Sequence, residues 1–408
     1  MKEKQRFAHL VDVYFDTRRN KRYGRDAMTY EMSWVSNLVR DHREREERTL
    51  RIHHNYTFLT SIPRWREIMA TELRGRIIDH EICEEVIPLA DKVLSPYTYN
   101  NRVGYGSQSA INQLIEHIHE VSQGYTQPCR IIKIDLKGYF PNALWNHAEQ
   151  CVDSVIDAMD VDEERKAYLK WLTMVAIHCN PAAHCEKRTP AYFWKEHIDP
   201  EKSILRKPEG VGAAIGRLIW QTAMGLYIND DIRWLTEECG LHVVCFVDDI
   251  VMIVPERLHQ YALSLIPTLR QRFATKGVKL NEKKFYDQPY GHGVEFLGSH
   301  IHPFRIILND KTWRRAIGRI EELNRMSDKE RWLDRLLSPV NSYTGLLKGR
   351  TSHKRLCLLR EIIMTEWGRY MEWDEQSQCV VCKPQYNWKS RMNHKYNLKI
   401  KTNDKFRN

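Results

Sequence analysis

Long apolar runs are missing from this chain of 408 residues. No stretch approaches the roughly 20 apolar residues of a membrane-spanning helix, so no membrane partner is expected. The opening Met1-Lys2-Glu3-Lys4 holds no apolar signal-peptide core. Cysteine occurs ten times without a framework spacing. That excludes a disulfide-stapled scaffold and points to free thiols in a reducing cytoplasm. His178-Cys179, His184-Cys185 and the distant Cys379-Val380-Val381-Cys382 do not supply four suitably spaced ligands, so no structural zinc is expected. No internal repeat is visible, which excludes solenoids and propellers. Glycine and proline are sparse over residues 1–60, arguing against a flexible linker there.

The composition that remains is globular, with 42% hydrophobic and 10% aromatic residues, enough for a core spread over two or three subdomains. Lys and Arg number 63 against 53 acids, a net charge of +10. A polyanionic substrate would suit that balance, although charge alone does not decide it.

The chain is organised around Cys245-Phe246-Val247-Asp248-Asp249-Ile250-Val251-Met252-Ile253-Val254. Two adjacent carboxylates interrupt an apolar, β-branched run, and each is costly to desolvate without a partner. A β-hairpin with the acids at its tip, beside a hard divalent cation, explains the pattern. An ordinary hairpin with a tight Asp-Asp turn explains it as well. A third acid follows from Arg130-Ile131-Ile132-Lys133-Ile134-Asp135-Leu136-Lys137-Gly138-Tyr139-Phe140-Pro141, which reads as a strand ending in Asp135, then a turn into a helix. Two metals about 4 Å apart, held by such carboxylates, can activate an attacking 3′-oxygen and stabilise leaving pyrophosphate.

In these residues the chain resembles a reverse transcriptase. Phe246-Val247-Asp248-Asp249 fits the aromatic-x-Asp-Asp of that family, whereas viral RNA polymerases of the palm type usually carry Gly before the two acids. The resemblance implies an α+β right-hand polymerase and two Mg²⁺, with Mn²⁺ able to stand in. Asp135, Asp248, Asp249 and the Leu136 backbone carbonyl would be the metal ligands. Phe140 takes the place of an aromatic steric gate against ribonucleotides, core packing being the plainer alternative. Phe246 joins the substrate-binding set.

Other stretches corroborate. Arg74-Gly75-Arg76-Ile77-Ile78-Asp79 and Arg102-Val103-Gly104-Tyr105-Gly106 resemble the fingers of bacterial enzymes. Arg76 and Arg102 are therefore candidates for substrate phosphates, since guanidinium donors suit phosphate oxygens. An ordinary hairpin around Arg102 would look much the same. Ile215-Gly216-x-x-x-Trp220-Gln221 matches diversity-generating retroelement enzymes at Ile215, Gly216 and Gln221, and departs at Trp220, where they carry Ser. Lys284, with Lys283 as rival, stands where the family has a lysine thought to protonate pyrophosphate; two surface lysines are the alternative. Phe296-Leu297-Gly298 resembles the primer grip. Asn341-Ser342-Tyr343-Thr344-Gly345 resembles the thumb of retroelement and defence-type enzymes.

The expected layout is an N-terminal helical extension at 1–60, fingers at 61–130, and palm at 131–305, with an insert near 150–205. A helical thumb at 306–375 and a basic tail at 376–408 follow. The charged run Arg40 to Arg48 reads as a solvated helix face, or as a basic helix touching template. The tail mixes charge with Tyr386, Trp388, Tyr396 and Phe406, which suits RNA binding. The expected activity is RNA-directed DNA synthesis in the cytoplasm, of the error-prone diversity-generating type. Its partners would be template RNA, primer, cDNA product, dNTPs and a small basic accessory protein. A phage-defence or abortive-infection enzyme is the alternative within the class, and a catalytically silent RNA-binding scaffold the alternative outside it.

Overall fold

Buried ion pairs, rather than solvation, shape the N-terminal charged run. The structure is a computed structural model describing residues 3–19, 24–61, 65–327, 329–330, 333–348, 350 and 352–386. The chain divides into two units, Met1–Tyr290 and Gly291–Asn408. The first opens with α1 (Glu3–Arg18), α2 (Arg25–Glu31) and α3 (Trp34–Glu46), followed further on by the long α4 (Leu73–Val93). Asp41 accepts from the Tyr30 hydroxyl at 2.9 Å and faces Arg74 at 3.0 Å, while Arg45 faces Glu81 at 3.0 Å. Arg74 and Glu81 belong to α4, and all four charged groups are buried. Burial of charge is tolerable only in such pairs. Leu10, Val13, Tyr14 and Leu38 pack with Leu73 and Ile77, so α1 and α3 belong to the same core as α4.

Between α3 and α4, β1 (Asn55–Thr60) and β2 (Arg66–Thr71) form an antiparallel hairpin. Then come α5 (Ser107–Val121), β3 (Cys129–Lys137), α6 (Trp145–Asp157), α7 (Glu163–Ile177), β4 (Cys185–Lys187) and α8 (Ala191–His197). The stretch 150–205, read from sequence as an insert, is part of the architecture. Val152, Val155, Ile156, Leu169, Leu172 and Ala176 lie in the main core, and β4 pairs parallel to β1. The apolar helix after the glycine loop is broken into α9 (Leu218–Leu226) and α10 (Asn229–Arg233).

Then β5 (His242–Phe246), β6 (Asp249–Pro255), α11 (His259–Ser264), α12 (Ile266–Thr275), β7 (Lys279–Leu280) and β8 (Tyr286–Pro289) complete the first unit. The central sheet is antiparallel with order β5-β6-β3-β7, and β8 also pairs with β3. Every residue from Ile250 to Val254 is buried, as expected of a sheet covered on both faces. Ile132, Ile134, Leu136, Ile250 and Met252 join the main core, and α5 lies against β5 and β6. The class is α+β with antiparallel sheets, as the sequence predicted.

The second unit holds the three-stranded meander β9 (Val294–Phe296), β10 (Ser299–His302) and β11 (Arg305–Leu308). Three helices follow: α13 (Asp310–Asn324), α14 (Leu333–Leu347) and α15 (His353–Trp367). Their core includes Ile320, Leu336, Val340, Leu359, Ile363 and Trp367. A terminal hairpin, β12 (Met371–Asp374) with β13 (Cys379–Cys382), packs there too. Asn341 clamps it, its side chain donating to the Val380 carbonyl at 2.9 Å and accepting from the Val380 N–H at 2.8 Å. The first part of the expected tail is thus tied to α14 through Asn341. Trp388, Tyr396 and Phe406 lie outside the described residues. Among those described, no helix is long and apolar enough to cross a membrane.

Candidate active site

Two strand pairings end together and bring the acids to the same end of the sheet. On β3 and β6 the register sets Asp135 directly opposite Asp249, and on β5 and β6 it sets Phe246 opposite Asp249. Directly opposed residues share a face, so Asp135, Asp249 and Phe246 stand on one side of the sheet. Ile132, Ile134 and Ile250, one residue out of phase, point the other way into the main core. Only Val247 and Asp248 remain to turn the chain between β5 and β6.

That two-residue loop is strained. Val247 has φ of 60°, a conformation that glycine enters freely and a β-branched residue resists. The cost is on the order of 1–2 kcal/mol, and it persists because the surroundings over-determine it. The Val247 N–H donates to Asn100 Oδ1 at 3.1 Å, and the Leu136 N–H donates to the Asp248 carbonyl at 3.0 Å. Beside it, the Tyr99 N–H donates to the Cys245 carbonyl at 3.0 Å and the Cys245 N–H to the Tyr97 carbonyl at 2.9 Å. Residues 97–100 therefore splint the outer side of β5. Asn100→Ala would leave a backbone donor without its acceptor, worth about 1–3 kcal/mol. The expected outcome is a tip that exchanges amide hydrogen faster at Val247, read by hydrogen exchange.

Like charges set opposite one another on a sheet repel, and here lysines answer them. Lys133 Nζ lies 3.1 Å from Asp249 Oδ1. Lys284 Nζ lies 2.5 Å from Asp135 Oδ2, and Asn281 Nδ2 donates to Asp135 Oδ1 at 2.7 Å. Asp135 is buried, whereas the Lys284 side chain is 55% exposed. The chemistry of the donor set fits a hard divalent cation: three carboxylates, on one strand end and one hairpin tip, in a patch with other cations already drawn to it. The acids are not among the described groups whose ligand atoms all lie within 4.8 Å of one another. The two lysines hold Asp135 and Asp249 toward different partners.

Other candidate residues fall into three settings. Leu136 is buried next to Asp135, and Phe140 is half-buried against the main core, edge-on to Tyr139 at 5.7 Å. Ile215 and Gly216 lie on β2: the Ile215 carbonyl accepts the Met69 N–H at 2.8 Å. Gly216 has φ of +121°, and a Cβ there would sit 2.8 Å from the Met69 carbonyl oxygen, so the loop needs glycine for close approach. Gln221 is exposed, and its carbonyl accepts Asn101 Nδ2 at 3.1 Å. Arg76 is partly exposed. It donates to the Thr71 carbonyl at 3.1 Å and to the Tyr56 hydroxyl.

Arg102 behaves differently from the expectation of a phosphate contact. Its side chain is 7% exposed, and it donates to the carbonyls of Ser95, Thr98 and Asp91 at 3.0, 3.1 and 2.8 Å. It also stacks over Tyr105 at 3.9 Å. In this structure it is a loop clamp. Trp220 is fully buried in the main core, so the residue that departs from the retroelement pattern serves packing. In the second unit, Leu297 and Gly298 have φ of 47° and 75° and form the two-residue turn between β9 and β10, with Phe296 buried. Lys133, Asn281 and Asn100 were not singled out from sequence. A lysine two residues before Asp135, on the same strand face, was the one available signal for the first.

No family model matches the chain, and no curated protein matches it. Among solved structures it is similar to telomerase from Candida albicans in complex with a TWJ fragment of telomeric RNA, with TM-score 0.44 and 11% identity. That similarity covers 84% of this chain and 60% of the other, so the chain spans well under two thirds of that protein's length. Apo telomerase from Candida tropicalis gives TM-score 0.44 and 11% identity over 87% of this chain and 68% of the other.

Proposed function

We propose that this chain is an RNA-directed DNA polymerase. One observation carries the reading: Asp135 and Asp249 in direct register, with Asp248 at the adjoining tip, on a sheet face shared with Phe246. Asp135, Asp248, Asp249 and the Leu136 carbonyl would hold two Mg²⁺ or Mn²⁺ ions. Such ions, when bound, favour ionisation of a primer 3′-hydroxyl and neutralise departing pyrophosphate. The chain's own groups do the rest. Asn281 orients the Asp135 carboxylate through the bond described above. Lys284 is exposed enough to swing from Asp135 toward the pyrophosphate and hand it a proton, the role of a positioned general acid. Phe246 offers an apolar surface beside the acids.

Copying of RNA, rather than DNA, rests on the aromatic-x-Asp-Asp motif and its neighbours. Within the class, the diversity-generating reading rests on Ile215, Gly216 and Gln221, and phage defence remains the rival because Trp220 departs. The test is to purify the protein from its host, sequence the nucleic acid it carries, and then supply a primed RNA template with dNTPs and Mg²⁺. Extended cDNA supports the polymerase; bound RNA that is never extended would leave a binding scaffold. A template matching a neighbouring protein gene, with changes confined to adenine, selects diversity generation. Long repetitive or untemplated product selects defence.

Two substitutions probe nucleotide selection. Phe140→Ala is expected to admit ribonucleotides, because removing the ring opens space at the sugar 2′ position; unchanged rNTP exclusion in primer extension would leave Phe140 a packing residue. Ile215 has neither donor nor acceptor and is stiff at χ1, so it offers an incoming nucleotide only apolar contact. Losing ~1.4 kcal/mol of discrimination raises error about tenfold. Ile215→Gln is therefore expected to lower misinsertion, most visibly opposite template adenine, by more than it lowers rate. Equal error spectra for wild type and variant would remove Ile215 from fidelity.

A further inference from the structure

We propose that His117, Glu120 and His242 form a binding site for a divalent transition metal of the Zn²⁺ class, at the far end of β5 from the acids. His117 and Glu120 are one turn apart on α5, and His242 is the first residue of β5. Phe246, at the acid end, is four residues further along, roughly 14 Å at the rise of a strand.

The ligand atoms are already arranged for an ion. His117 Nδ1 and His242 Nδ1 are 3.1 Å apart. A single Glu120 oxygen, Oε2, lies 3.8 Å from the first and 3.7 Å from the second. The point equidistant from all three in their plane is about 2.1 Å from each, which is the Zn–N and Zn–O bond length. Around a tetrahedron such ligands stand about 3.3 Å apart, so an ion that rises out of this plane toward a fourth ligand needs the Glu120 carboxylate to close in by a few tenths of an ångström. A hydrogen bond between the two imidazoles would explain the shortest distance alone.

The surroundings suit ligation. His117 is buried. The set of two nitrogens and one carboxylate oxygen suits zinc, nickel or cobalt better than magnesium. Glu120 is 68% exposed and His242 33%, which gives the ion an entry path and leaves a fourth corner for water. A bound ion would fasten α5 to the start of β5. At the other end of that strand the turn carrying Asn100, which leads into α5, already grips the hairpin tip.

The probe is Co²⁺, added to the purified full chain after chelator treatment and in excess Mg²⁺. One equivalent should bind and give the intense visible bands of four-coordinate nitrogen and oxygen ligation, without thiolate charge transfer, and Zn²⁺ should displace it. Zn²⁺ should also raise the thermal midpoint. His242→Ala and Glu120→Gln, both at solvent-accessible side chains, should weaken binding at least tenfold and abolish the thermal shift while keeping the far-ultraviolet circular dichroism. Absence of saturable binding would overturn the proposal. So would a thiolate band, or an unchanged spectrum in His242→Ala, because either places the ion elsewhere and leaves a hydrogen-bonded histidine pair.

Discussion

Asp248→Ala will incorporate no dNTP above background in primer extension, a loss of at least roughly 1,000-fold, equivalent to about 4 kcal/mol of transition-state stabilisation. Asp135→Ala should do the same. On the proposed reading each removes a hard oxygen ligand, and the neighbouring side chains of Phe246, Val247 and Leu136 offer no carboxylate in its place. The three acids should differ in what their loss does to the fold. Asp248 sits at the hairpin tip, next to the Asp249 charge, and like charges set so close repel. Asp249→Ala takes the carboxylate from Lys133, whose side chain is only 12% exposed. That variant should be the least stable of the three. Asp135→Ala releases Lys284, which is exposed enough to be hydrated, and leaves Asn281 to find water. Calorimetry ranks the variants, and RNA binding by filter retention should be unchanged in all of them. Residual polymerisation in Asp248→Ala would sink the two-metal assignment, whatever the stability order.

Asp79→Ala is expected to give the largest loss of stability. Its carboxylate accepts from Arg217 at 2.5 and 3.2 Å, and Arg217 also donates to the Ala176 carbonyl at 2.7 Å. The pair is 1% and 2% exposed. Burial opposes ionisation of Arg217 and Asp79 offsets it, so that its guanidinium is held above its ordinary range. Breaking such a pair leaves an uncompensated buried charge and costs about 3–5 kcal/mol. For a unit of this size the melting temperature should fall by on the order of 10 °C. The damage should also reach the site. Arg217 stands just before α9 and follows Ile215 and Gly216, so its release frees the loop that lies on β2. The double variant Asp79→Leu with Arg217→Met should recover much of the lost stability, since it removes both charges. Additive losses in the double variant would show that the pair is not coupled.

The local part of this architecture was legible. Apolar residues flanking Asp248 and Asp249 mark a hairpin, and Asp135 closes a β-branched run, because alternation and turn chemistry act over a few residues. Three readings needed revision for one reason. Arg40 to Arg48 looks solvated by composition, yet Asp41 and Arg45 are buried against partners on α4. Residues 150–205 look like an insert, yet α6 and α7 fill the core. Arg102 looks like a phosphate ligand, yet its donors end on three nearby carbonyls. In each case the residue types were plain and their neighbours were not.

By itself the sequence determined which residues are candidates for chemistry: three carboxylates at strand ends, an aromatic before two of them, a glycine loop, and Lys284. These follow from residue type and short spacing. Only the tertiary structure decided which of them meet. Asn100 reaches Val247 across 147 residues of sequence, Lys284 reaches Asp135 across 149, and Arg217 reaches Asp79 across 138. The pairing of His117 with His242 spans 125. No local propensity encodes such contacts. They arise because antiparallel strands fix their register over several residues at once and because a buried charge is stable only where the fold brings a partner to it.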